Sequence, residues 1–153
     1  MDSTALLARV EEYHRAGWRL ALINVTTVVA VAPAGHGHGP AAAPVAAEAA
    51  APAEAPAPAD SPGVFEIAWA FARDGEFETI RERIVAGEIV PSVSEYFGAA
   101  FLYENEIREL FGIAVAGMGV DLKGQLYKTA TKVPFSHAAV KARLAAIAAA
   151  KPS

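Results

Sequence analysis

Apolar residues recur at helical spacing near the start of the chain, where Leu6, Leu7, Val10, Tyr13 and His14 fall on one side of a helix over residues 4–16. Ser3 or Thr4 is placed to cap it, and Gly17 to end it, because glycine accepts the left-handed conformation after a last turn. Trp18 to Val31 is β-branched and apolar, which predicts one long strand with Ala21, Ile23, Val25 and Val29 on one face and Leu20, Leu22 and Val28 on the other. A second strand begins at Val64, where Phe65, Ile67, Trp69 and Phe71 alternate with Glu66, Ala68, Ala70 and Ala72. Asp74-Gly75 is a hairpin turn, so Phe77 to Val85 is assigned as the returning strand, although Phe77, Ile80 and Ile84 also fit a helix face. Pro91-Ser92 closes that strand, and Ser92 with Glu95 forms a capping box for a helix over about 95–111. Its expected buried stripe is Ala100, Tyr103, Ile107, Leu110 and Phe111, and Gly112 stops it. Residues 113–135 hold Gly117, Gly119, Gly124 and Pro134 with little periodicity and predict an irregular, extended course. A last helix over about 136–150, capped by Ser136, presents Val140, Leu144 and Ile147 on a stripe too narrow to make a core.

Between the first two strands, residues 32–63 break every pattern. They contain fourteen alanines, seven of the ten prolines, and no aromatic or basic residue. Proline removes backbone donors, and alanine supplies too little apolar area to offset the entropy of ordering. The composition therefore predicts a disordered, partly polyproline-II insert within one domain split into 1–31 and 64–135, followed by a basic C-terminal helix at 136–153.

Charge is divided along the chain. The net charge of −4 is the sum of a −10 balance over residues 1–121, with seven basic and seventeen acidic side chains, and six basic residues after that. From Leu122 onward there is no acidic residue, only Lys123, Lys128, Lys132, Lys141, Arg143 and Lys151, a pattern that suits an acidic partner, an anionic surface or plain solvation. The overall balance argues against broad nucleic-acid binding. There is no cysteine, which removes thiolate-bound iron–sulfur clusters, a cysteine-ligated nickel–iron centre and disulfides from this chain. The longest apolar run, Leu20 to Ala32, is interrupted by Asn24, Thr26 and Thr27 and falls short of the roughly 20 residues of a spanning helix. With no secretory signal after Asp2, a cytoplasmic protein is expected.

The densest constellation runs Tyr103-Glu104-Asn105-Glu106-Ile107-Arg108-Glu109-Leu110-Phe111-Gly112. Glu104 and Arg108, four apart with the acid first, are placed to pair along one face. Glu104 and Glu106 are the candidates if the chain carried acid–base or metal chemistry, but no histidine adjoins them, so a solvated or partner-facing helix is the better expectation. His36 and His38, in Gly35-His36-Gly37-His38-Gly39, are weak metal candidates, because two ligands on a glycine-rich segment leave metal binding to order the chain. His14 and His137 are expected on helix surfaces. Nucleotide-binding glycine loops and the common hydrolase and zinc-protease motifs are absent from the sequence.

Pro91-Ser92 and then Ala99-Ala100-Phe101-Leu102-Tyr103 through Gly112 resemble the signature helix of the respiratory complex I 30 kDa subunit family. That family carries a tyrosine, a Glu-Arg-Glu triplet, an acidic residue three positions later and then Phe-Gly. Asn105 stands where the complex I members have arginine, and Gly117-Met118-Gly119-Val120-Asp121-Leu122-Lys123-Gly124 replaces their Gly-His-Pro-Asp-Leu-Arg-Arg. In both departures the chain is similar to the corresponding accessory subunit of energy-converting (Ech-type) [NiFe] hydrogenases. The specific match covers about residues 91–128.

The resemblance implies an α+β domain, a small antiparallel or mixed sheet with flanking helices, that binds no cofactor itself. It implies a scaffold docked on the hydrogenase large subunit, the small subunit and a ferredoxin-like iron–sulfur subunit, at the cytoplasmic face of the inner membrane. Tyr103, Glu104, Asn105, Glu106, Arg108, Glu109, Phe111, Gly112 and Asp121 would form the signature interface, with the charged members turned to the partner. The alternatives are the 30 kDa subunit of an NADH–quinone oxidoreductase, a nickel-binding accessory protein acting through His36 and His38, and a freestanding enzyme using Glu104 and Glu106.

Overall fold

The structure, a computed structural model, describes residues 2–28 and 63–150. The expected insert, with His36 and His38, and the outer end of the first strand at Val29 lie outside the described residues.

Helix α1 (Ser3–Arg15) is capped by Asp2, whose Oδ1 accepts from the backbone N–H groups of Thr4 and Ala5 at 3.0 and 3.2 Å. The carboxylate one residue upstream takes the role expected of Ser3 or Thr4, and its charge also suits the positive end of the helix. Leu6 and Val10 are buried, and Tyr13 stacks on Phe71 with ring centroids 4.5 Å apart. Gly17, at φ +77°, turns the chain into strand β1 (Arg19–Val28).

Strands β1, β2 (Val64–Arg73) and β3 (Glu76–Val85) form an antiparallel sheet in the order β1-β2-β3. The hairpin falls at Asp74-Gly75 as expected, both residues at positive φ, and Phe77 to Val85 is a strand rather than a helix. Phe65, Ile67, Trp69 and Phe71 are all buried on the central strand, and Ile80 and Ile84 lie opposite Trp69 and Phe65. Phe77 is on the opposite face and 62% exposed.

Ile23 and Val25 share the buried face of β1 and Leu22 the opposite one, as expected, but the start of the strand differs. A bulge between Leu20 and Leu22 inserts Ala21 as an unpaired residue, which reverses the alternation. Leu20 therefore packs against the core with Ile23 and Val25, while Ala21 is exposed. The bulge leaves the Ala21 carbonyl to accept from the Tyr103 hydroxyl at 3.1 Å, which ties the edge of the sheet to the helix beyond it.

Pro91-Ser92 does not close β3. Ala86-Gly87 ends that strand, and Ile89–Pro91 is a separate short strand, β4, paired in parallel with β5 (Ala114–Ala116). Three-residue strands carry too little alternation to be visible in sequence. The expected capping box does not form either: residues 93–99 make turns, and helix α2 (Ala100–Glu106) starts at Ala99 without a side-chain cap. It continues as a π-helical turn, Ile107–Phe111, and stops at Gly112, φ +76°, whose N–H donates to the Arg108 carbonyl. Helix α3 (His137–Ala149) is capped by Ser136 as expected. Gly63 makes room for it, because a Cβ there would lie 2.4 Å from His137 Cβ.

The core is continuous from α1 through the sheet to Val90, Val93, Phe97, Ala100, Ile107 and Ile113. Trp69 is 1% exposed at its centre. Truncating Trp69 to alanine is expected to cost about 3–5 kcal/mol in urea unfolding, and Phe77→Ser less than about 0.5 kcal/mol. Equal losses in the two variants would contradict this assignment of faces.

Candidate functional site

Of the ten residues Tyr103–Gly112, the two least exposed are polar: Glu104 at 2% and Asn105 at 0%. Both face into the molecule, because α2 lies between the end of β4 and the irregular segment 117–127 and must satisfy the backbone of both. Glu104 Oε1 accepts from the Val93 N–H at 2.7 Å, and Oε2 from the Ser92 hydroxyl at 2.7 Å. Ser92 Oγ also accepts from the Ser94 N–H and lies 2.7 Å from Ser94 Oγ, which accepts from the Gly119 N–H at 3.1 Å. With the Ser92 proton directed at Glu104, the Ser94 hydroxyl donates to Ser92. The result is a chain of bonds in one direction from Gly119 to a buried carboxylate, in which each bond polarises the next.

Asn105 closes the other side. Its Nδ2 donates to the carbonyls of Phe101 and Val120 at 2.7 and 2.8 Å, and its Oδ1 accepts from the Leu122 N–H at 2.9 Å. One amide therefore pairs both the acceptor and the donor that the extended backbone presents around Asp121.

The π-helical turn widens the helix just where its charged side chains change neighbours. Arg108 grips Asp121 with both guanidinium nitrogens, Nη1 to Oδ2 at 2.8 Å and Nη2 to Oδ1. The expected pairing of Arg108 with Glu104 does not occur, because Glu104 is already committed to Ser92 and Val93 on the buried side. Glu109 accepts from the N–H groups of Leu126 and Tyr127, each at 2.9 Å, and Glu106 accepts from the Tyr127 hydroxyl at 3.0 Å. That hydroxyl is held above its ordinary pKa, since a neighbouring carboxylate disfavours the phenolate. Every buried side-chain nitrogen and oxygen among the described residues has a partner.

The site residues expected from the sequence thus come together, but in a different sense. Glu104 and Asn105 are internal, contrary to a partner-facing Glu104, and Glu106, Arg108 and Glu109 are half-buried against segment 117–127. Tyr103 and Phe111 are half-buried, with Phe111 edge-on to Phe65 and 5.4 Å from the Phe135 ring. Ser92, Ser94 and Tyr127 belong to the site and were not foreseen in it. Ser92 signalled a cap, and nothing in the spacing marked Ser94 or placed Tyr127 over α2.

Chemically this arrangement holds backbone in place. The two carboxylates considered for acid–base work bond different neighbours, Glu104 inside and Glu106 at the surface. Among the described residues there is no cluster of three or more histidine, cysteine, aspartate or glutamate side chains able to hold a metal. No helix among them is long and apolar enough to cross a membrane. No family model matches the chain, and no curated protein matches it.

The Arg108 guanidinium, followed by the Lys123 N–H, lowers the Asp121 pKa from an ordinary 3.8 to about 2. A carboxyl with a depressed folded-state pKa stabilises the fold above its ordinary pKa, and the contribution disappears as pH falls through about 2. In urea titrations the stability gap between the wild type and Asp121→Asn is expected to be constant above about pH 5 and to narrow steadily below about pH 4. A gap that stays constant down to acid pH would contradict the pairing.

Proposed function

We propose that this chain is a cofactor-free structural subunit of a membrane-associated energy-converting [NiFe] hydrogenase, similar to the complex I 30 kDa subunit family in its signature helix. It docks on the large catalytic subunit and on the small and ferredoxin-like iron–sulfur subunits, which carry the redox centres. It lies at the cytoplasmic face of the inner membrane and reaches the membrane only through those partners.

The observation that carries this reading is the union of the two halves of the resemblance. Tyr103–Gly112 and the downstream Gly117–Gly124 segment are joined by Asn105 and Arg108, and Glu109 holds the backbone just beyond, at Leu126 and Tyr127. Exposed apolar residues adjoin it: Leu102 on α2, and Val120 and Tyr127 on the clamped segment. A preorganised surface of that kind suits assembly, because little backbone entropy remains to be lost on docking. The absence of cysteine fits a subunit whose partners hold the metals.

Asn105 favours the hydrogenase branch over an NADH–quinone oxidoreductase. Its side chain is fully enclosed by two carbonyls and one N–H. An arginine in that place would bury a charge with no carboxylate assigned to it, at a cost of several kcal/mol. The nickel-handling reading rests on His36 and His38, outside the described residues.

Purification of the native assembly through a tag on this chain is expected to yield hydrogenase large, small and iron–sulfur subunits in equal amounts. Glu106→Lys breaks only the surface bond to Tyr127, so the free variant keeps its circular dichroism and melting profile while recovery of those subunits falls about tenfold or more. Recovery of NADH–quinone oxidoreductase subunits would select the alternative, and recovery of neither would overturn the proposal.

A further inference from the structure

Helix α3 is formed but hardly packed. Every residue from Lys141 to Ala150 is exposed, and no residue of the helix is buried. The helix is anchored at its first turn, where Ser136 caps it and His137 lies over Gly63, while Leu144 and Ile147 remain 41% and 61% exposed. A helix of thirteen residues with none buried is marginal in water even with many alanines. Its sequence is also unsuited to permanent solvation: ten of the thirteen residues are Ala, Val, Leu or Ile, the others being His137, Lys141 and Arg143. A helix apolar nearly all round is a helix that becomes buried.

The three large apolar residues define how. Val140, Leu144 and Ile147 stand at i, i+4 and i+7, the spacing by which a helix inserts anchors into a groove. Arg143 falls beside that stripe, and no acidic residue occurs anywhere after Asp121. The complementary rim is therefore acidic. A helix lying on an anionic membrane keeps a charged face toward water, whereas the remaining surface of α3 is alanine, small enough to let a partner backbone approach closely.

We infer that α3 is a docking helix that seats Val140, Leu144 and Ile147 in an apolar, carboxylate-rimmed groove of a neighbouring protein subunit. The inference rests on the subunit reading only for the existence of a stoichiometric partner.

The test places a photo-crosslinking amino acid at Leu144 or at Ile147 of the full chain in its native cells, with exposed Glu12 of α1 as the control position. Both positions are expected to crosslink one and the same protein, on a peptide that mixes apolar residues with Asp or Glu. With the probe at Ile147, Leu144→Asp and Arg143→Glu are each expected to lower that yield about tenfold or more, as for a buried anchor and its charged rim. Charge reversal of the mapped acidic residue should restore crosslinking to Arg143→Glu. The substitutions fall on exposed positions, so circular dichroism of the body stays unchanged. Crosslinks to a second copy of the chain, yields no higher than at Glu12, or Leu144-dependent sedimentation with phosphatidylglycerol vesicles would each overturn the inference. A mapped groove on a protein that is not a hydrogenase subunit would uphold the docking helix and overturn the subunit reading. Hydrogenase subunits recovered undiminished with Leu144→Asp, and no crosslink, would do the reverse.

Discussion

A carboxylate with almost no contact with water ties helix α2 to the segment that follows β4. Glu104 lies on the core side of α2, beside Ala100 and one turn from Ile107, and takes a backbone N–H and a serine hydroxyl from the segment that follows β4. A polar group in such a place is costly unless its oxygens are matched by donors, and Ser92 and Val93 supply them. Ser92 Oγ donates to Glu104 while accepting from the Ser94 N–H, and the chain turns through Val93, Tyr96 and Phe97 before α2 starts.

From that fixed point the remaining polar residues act in sequence along the helix. Asn105 fixes Val120 and Leu122, Arg108 fixes Asp121, and Glu109 fixes Leu126 and Tyr127. The π-helical turn over Ile107–Phe111 gives this row its wider spacing, and Gly112 releases the chain into β5 beside β4. An irregular segment with no core of its own is thereby held through its backbone by side chains of the helix.

Much of the sheet was legible because its chemistry is local. Alternation at Phe65–Phe71 and the Asp74-Gly75 turn specify β2 and β3 without reference to the rest of the chain. The sides taken by Leu20 and Ala21 at the start of β1 were not legible, because a bulge at Ala21 depends on the partner strand and on Tyr103. In the signature helix, spacing identified the apolar residues but read Glu104 as partner-facing and gave Asn105 no inward role. A glutamate among apolar neighbours is usually solvated, and only tertiary structure reveals that backbone donors surround it. The i, i+4 pairing of Glu104 with Arg108 failed for the same reason, since each has a stronger partner distant in sequence.

If the inward-facing Glu104–Asn105 pair is what holds segment 117–127 in place, its amides should be protected from solvent by that pair. Residue-resolved amide hydrogen exchange of the full chain tests this directly. The Leu122 amide is expected to exchange slowly in the wild type and to lose about tenfold protection in Asn105→Ala, equivalent to one hydrogen bond, while Ile67 and Trp69 in β2 stay unchanged. A Leu122 amide that exchanges freely in the wild type, or that keeps its protection in the variant, would contradict the account.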